Sequence, residues 1–74
     1  MAKLPVISGR EAGRAFERLG FLFDHQSGSH MIYYHPSGMH LSIPDHRELD
    51  RGLLRSLIRH AGITVEEFVS LLRA

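Results

Sequence analysis

Apolar residues recur at Ala12, Ala15, Phe16 and Leu19, the spacing of one helix face. Just ahead of them stands Ser8-Gly9-Arg10-Glu11, a serine followed three residues later by a glutamate, which is the capping-box pattern. Gly20 falls where a left-handed helix terminus is expected, so the pattern predicts a first helix over residues 9–19. Over residues 21–26 the helical period disappears and aromatic side chains favour a strand. Ser27-Gly28 reads as a turn, and residues 29–35, rich in Ile and Tyr, as a second strand. His35-Pro36-Ser37-Gly38 is a turn in which proline presets one dihedral and glycine takes the left-handed position. Residues 39–43 form the third strand, and Pro44 ends it. After a polar loop, Leu54, Leu57, Ile58 and Ala61 mark a helix over residues 51–61, closed by Gly62. Thr64-Val65-Glu66-Glu67 is a second capping box, opening a last helix with Val65, Phe68, Val69 and Leu72 inward. The order α-β-β-β-α-α predicts an α+β fold, a three-stranded antiparallel meander packed on helices.

The second turn also predicts a register. A three-residue loop at Pro36, Ser37 and Gly38 pairs His35 with Met39, Tyr33 with Leu41 and Met31 with Ile43. These residues share one face, which is apolar and is expected to be the core. The opposite face carries His30, Ile32, Tyr34, His40 and Ser42 and is expected to be open or covered by a partner. A slip of one residue would exchange the faces.

The length, 74 residues, indicates a single domain over 1–74. A chain this short buries only about 60% of the surface its unfolded form exposes, which leaves little room for a deep pocket. There is no cysteine, so disulfides and cysteine-ligated zinc are excluded, in keeping with a reducing cytoplasm. The first seven residues hold too short an apolar stretch for a signal peptide. No run approaches the roughly 20 apolar residues of a membrane span. The net charge of +1 selects no partner, but its distribution is uneven. Arg10, Arg14 and Arg18 are four apart on the first helix, and Arg51, Arg55 and Arg59 are four apart on the second. Each row lies along one helix surface, suited to an RNA backbone or to solvent with local pairing to Glu11, Glu17 or Asp50.

Gly28-Ser29-His30 is the other candidate site. Glycine lets a phosphate approach the backbone, serine offers a hydroxyl, and an imidazole can take or give a proton. The same tripeptide also reads as a turn followed by a half-exposed strand histidine. Tyr34 is a candidate for stacking on bases, whereas Tyr33 belongs to the core face. The six histidines offer no convergent set, because a step of five alternates faces on a strand and none is paired i, i+4 on a helix. No metal site is expected.

Several blocks, taken in order, resemble the HicA family, the YcfA-like RNA-cleaving toxins of bacterial toxin–antitoxin pairs. They are Leu4-Pro5-Val6-Ile7-Ser8-Gly9, Leu19-Gly20-Phe21, Gly28-Ser29-His30 and Ile43-Pro44-Asp45-His46. Gly52-Leu53-Leu54-Arg55-Ser56-Leu57-Ile58-Arg59 and Ala61-Gly62-Ile63-Thr64-Val65-Glu66-Glu67-Phe68 complete the match. The resemblance implies a fold like the double-stranded-RNA-binding domain. It also implies metal-independent cleavage of messenger RNA with His30 catalytic and no cofactor, and a HicB-like antitoxin as partner. Ser27, Tyr34 and His40 stand where the family often carries basic residues, and Leu53 where it often has Thr.

On this reading His30 activates a ribose 2′-hydroxyl, which restricts the substrate to RNA, and no DNA binding is expected of the chain alone. Gly28, Ser29, Tyr34 and His40 are expected to contact the RNA, together with the six helical arginines. His46 or water would supply a second proton transfer. The alternative is a non-catalytic RNA- or protein-binding module of the same fold, in which His30 is dispensable; a histidine protein that binds zinc is a third.

Overall fold

Ser8 and Glu11 start the first helix as their spacing predicts. In the computed structural model, which describes residues 3–74, Ser8 Oγ accepts from the Glu11 amide at 3.1 Å and the Glu11 carboxylate accepts from the Ser8 amide at 3.0 Å. These reciprocal bonds satisfy amides that have no partner inside the helix. Helix α1 spans Gly9–Glu17. It ends two residues before the predicted boundary because its last turn tightens: the Leu19 amide donates to Phe16 and that of Gly20 to Glu17, both three residues back. Helix α2, Arg51–His60, is capped by Asp50, whose carboxylate accepts from the Leu53 amide at 3.0 Å. Helix α3, Val65–Arg73, repeats the reciprocal box with Thr64 and Glu67.

Between α1 and α2 run β1 (Leu22–Ser27), β2 (His30–Tyr34) and β3 (His40–Pro44), an antiparallel sheet in the order β1-β2-β3. The predicted pairs are present: Met31 lies opposite Ile43 and Tyr33 opposite Leu41. The loop closes with the His35 amide donating to the Met39 carbonyl at 2.8 Å. Strand β1 begins one residue later than expected, since Phe21 remains tied to α1 through its amide bond to the Phe16 carbonyl and is fully buried. A bulge at Asp24 then shifts the register between Phe23 and His25.

One hydrophobic core joins the sheet to all three helices. Phe16 is at its centre, with ring centroids 5.9 Å from Phe21 and 5.1 Å from Phe68. Met31, Tyr33, Leu41 and Ile43 enter this core from the sheet, whereas His35 and Met39, at the end of the same face, are half-buried. His30, Tyr34, His40 and Ser42 on the other face are exposed, and Ile32 is half-buried. The helices therefore form one layer and leave the second face of the sheet open, an α+β fold of the double-stranded-RNA-binding-domain type. Strand β1 is exposed along its whole length, with Leu22 65% and Phe23 50% accessible. Among the described residues no helix is long and apolar enough to cross a membrane. The expectation about a signal peptide falls partly on residues 1 and 2, which lie outside the described residues.

Close approach of α1 to the sheet depends on Gly13, where an added Cβ would stand 2.2 Å from the Tyr33 hydroxyl oxygen and 2.8 Å from its ring. Alanine favours a helix over glycine by about 1 kcal/mol. Gly13→Ala is nonetheless expected to destabilise the fold by about 1–3 kcal/mol through overpacking. Urea denaturation checks this, and removing the hydroxyl with Tyr33→Phe should restore part of the loss.

Candidate active site

The hairpin joining β1 to β2 has only Gly28 and Ser29 between the paired residues Ser27 and His30. Its first central position has φ 59° at Gly28, and no residue other than glycine has positive φ among those described. A glycine at that position is what a two-residue type II′ turn demands. Nothing lies within 4 Å of where a Cβ would be on Gly28, so space beside the turn is open.

This turn delivers His30 to the first position of β2, on the open face. Its Nδ1 lies 3.0 Å from Ser42 Oγ on β3. Nε2 has no hydrogen-bond partner among the described residues. The histidine thus has one ring nitrogen held and the other available to solvent or substrate.

A second group of bonds braces the turn from the helical side. The Asp45 amide donates to the Ser29 carbonyl at 2.7 Å. The Gln26 side-chain amide donates to the Gly28 carbonyl at 3.3 Å and reaches the Asp45 carboxylate at 3.5 Å. Arg10 grips the same carboxylate through Nε at 3.1 Å and Nη2 at 3.3 Å. This two-pronged bond holds the Asp45 carboxyl below its ordinary range and raises the Arg10 guanidinium further above its own. With 72% of the Arg10 side chain and 20% of the Asp45 side chain accessible, the pair is partly screened by water.

The structure distributes the other candidates unevenly. Tyr34 and His40 are cross-strand partners on the open face, their rings 5.7 Å apart. They stand four residues along β2 from His30, roughly 13 Å at the usual strand rise. The first arginine row is split. Arg10 is bound to Asp45, not to Glu11 or Glu17, and Arg18 donates through Nη1 to the Leu71 carbonyl at 2.9 Å near the end of α3. Arg14 is exposed between them. Arg51, Arg55 and Arg59 are exposed on α2, in the helical layer and not on the face that carries His30. Arg55 and Arg59 line an open groove with Ile63, Thr64 and Val65.

Among the described residues no group of three or more histidines and carboxylates is placed to hold a metal ion. His25 bonds the neighbouring Asp24 at 2.6 Å, and His35 bonds Ser37. Three residues near His30 went unassigned in the sequence reading. Asp45 and Gln26 brace the turn, and Ser42 holds the ring. Ser42 carried a signal in the register that put it on the face of His30, and Asp45 in the block Ile43-Pro44-Asp45-His46; Gln26 carried none.

A protein-family model described as "HicA toxin of bacterial toxin-antitoxin" matches residues 9–63. No curated protein matches the chain.

The Arg10–Asp45 pair has a pH signature. Because the folded-state carboxyl of Asp45 is depressed, the stability it contributes is present above the unfolded value, near 3.8, and is lost as pH falls through the lower folded value. Asp45→Asn is therefore expected to melt below wild type at neutral pH. The gap should close in acid below that ordinary value, as followed by thermal unfolding across pH.

Proposed function

The chain belongs to the HicA toxin family, and on that premise we propose that it is an endoribonuclease that cuts messenger RNA with His30 as its proton-transfer group. The observation that supports this most directly is the state of the His30 ring. It projects from a tight turn onto an open face, with Nδ1 engaged and Nε2 without a partner among the described residues.

In the proposed reaction Nε2 takes the proton of a ribose 2′-hydroxyl. The freed oxygen attacks the adjacent phosphorus in line, and the bond from phosphorus to the 5′-oxygen breaks. The leaving oxygen takes a proton from water or from a second group such as His46, and the products are a 2′,3′-cyclic phosphate and a 5′-hydroxyl. The nucleophile belongs to the RNA, so DNA is not cut and no metal is needed to generate it. One such proton transfer is worth about 10²–10⁴-fold. The remainder comes from position and charge, to which the Ser29 hydroxyl and the amides of the Gly28 turn contribute at the phosphate. Tyr34 and His40 offer a stacking surface for bases farther along the strand. Arg14, Arg51, Arg55 and Arg59 supply charge to the backbone at longer range. Arg10 and Arg18 add to that field while their guanidinium groups hold the fold. A HicB-like antitoxin would silence the protein by covering the open face, and the cytoplasm, where messenger RNA is translated, would be its place of action.

His30→Ala is expected to retain the fold and to cleave RNA at least about 10²-fold more slowly. The assay is cleavage in EDTA with detection of cyclic-phosphate ends. RNA binding without cleavage by wild type, or unchanged cutting by the variant, would overturn the assignment. Replacing Arg51, Arg55 and Arg59 together by Ala should weaken RNA binding and reduce the slope of log affinity against log salt by roughly 2, measured by a salt titration.

A further inference from the structure

We infer that Ser42 is a positioning residue that sets the tautomer of His30, keeping its proton on Nδ1 and its lone pair on Nε2. This rests on the reading of His30 as the proton-transfer group. Ser42 is not the residue directly across from His30, a place held by Pro44; it pairs with Ile32 and reaches His30 diagonally across the β2–β3 ladder. Diagonal neighbours on one sheet face are within reach of long side chains, and the Oγ to Nδ1 distance is 3.0 Å. No other hydrogen bond to the His30 ring exists among the described residues. Ser42 is thus the polar group that fixes the ring's orientation.

The 3.0 Å contact fits either direction, and the proposed role of Nε2 selects between them. A serine hydroxyl can accept or donate. If it donated to Nδ1, the neutral ring would carry its proton on Nε2. It could then take up a proton only at Nδ1, breaking the bond and facing away from the open space. If it accepts from Nδ1–H, Nε2 is free as a base. After Nε2 has taken the 2′-hydroxyl proton, Nδ1–H still donates to Ser42. One geometry then serves both protonation states with no ring rotation. A free imidazole side chain in water prefers the opposite tautomer, with the proton on Nε2. With Ser42 accepting, the bond acts against that preference, and its loss is observable without any substrate.

The test uses the full chain with nitrogen-15 in its histidines. Two-bond proton–nitrogen spectra of neutral His30 should show the Nδ1–H form in wild type. They should show a shift towards Nε2–H in Ser42→Ala, and return to Nδ1–H in Ser42→Thr, which keeps the hydroxyl. Cleavage by Ser42→Ala should fall roughly threefold to tenfold in kcat with KM unchanged, the effect of one net hydrogen bond, and recover in Ser42→Thr. An unchanged tautomer in Ser42→Ala, or a tautomer that is Nε2–H in wild type, overturns the inference. The two readings separate cleanly. If His30→Ala cuts as wild type does, the catalytic role of His30 fails, while the spectra still decide whether Ser42 sets its tautomer.

Discussion

Tyr33 lies opposite Leu41 and Met31 opposite Ile43, with all four side chains buried beneath the helices. Because side chains alternate along a strand, these two pairs also decide the other face. They place His30, Ser42, Tyr34 and His40 outward together. A shift of one residue would bring the histidine into a core packed on Phe16 and expose Tyr33 and Leu41 in its place. The burial of four apolar side chains is thus the same constraint that presents the imidazole. The loop at Pro36, Ser37 and Gly38 supports it by closing with the bond from the His35 amide to the Met39 carbonyl.

The site that results is a surface and not a cleft. His30 stands beside an open turn, held on one nitrogen by a neighbouring strand and supported from beneath by Asp45, Gln26 and Arg10. Charge is arranged in a second layer, along helices that lie on the far side of the sheet. A long flexible polymer can touch both, whereas a small molecule cannot. On the proposed reading, an RNA phosphate backbone would span that distance.

Features set by neighbouring residues were legible in the sequence. Both capping boxes are local, and Ser8 with Glu11 and Thr64 with Glu67 form as their spacing implies. The face of His30 was legible for a similar reason, since the turn chemistry of Pro36 and Gly38 fixed the register. The partner of Arg10 was not. Glu11 and Glu17 are close in sequence, but Asp45 is the residue that α1 reaches when it docks across the end of β3. The diagonal bond of Ser42 depends on strand pairing in the same way. In β1 the extra residue at Asp24 interrupts the alternation, so Leu22, Phe23 and His25 give no readable period.

The brace on the hairpin joins residues far apart in the chain. Gly28 and Ser29 sit in a turn that the two strands beside it can form by themselves, on the microsecond scale of an isolated hairpin. Asp45 and Arg10, 35 residues apart, come together only when the first helix and the third strand are both in place. That contact needs closure over a long span, whereas the hairpin closes locally. Until that contact forms, the turn beside His30 lacks the Arg10–Asp45 part of its brace. The full set of contacts around His30 therefore belongs to the tertiary structure and not to the strand that bears it.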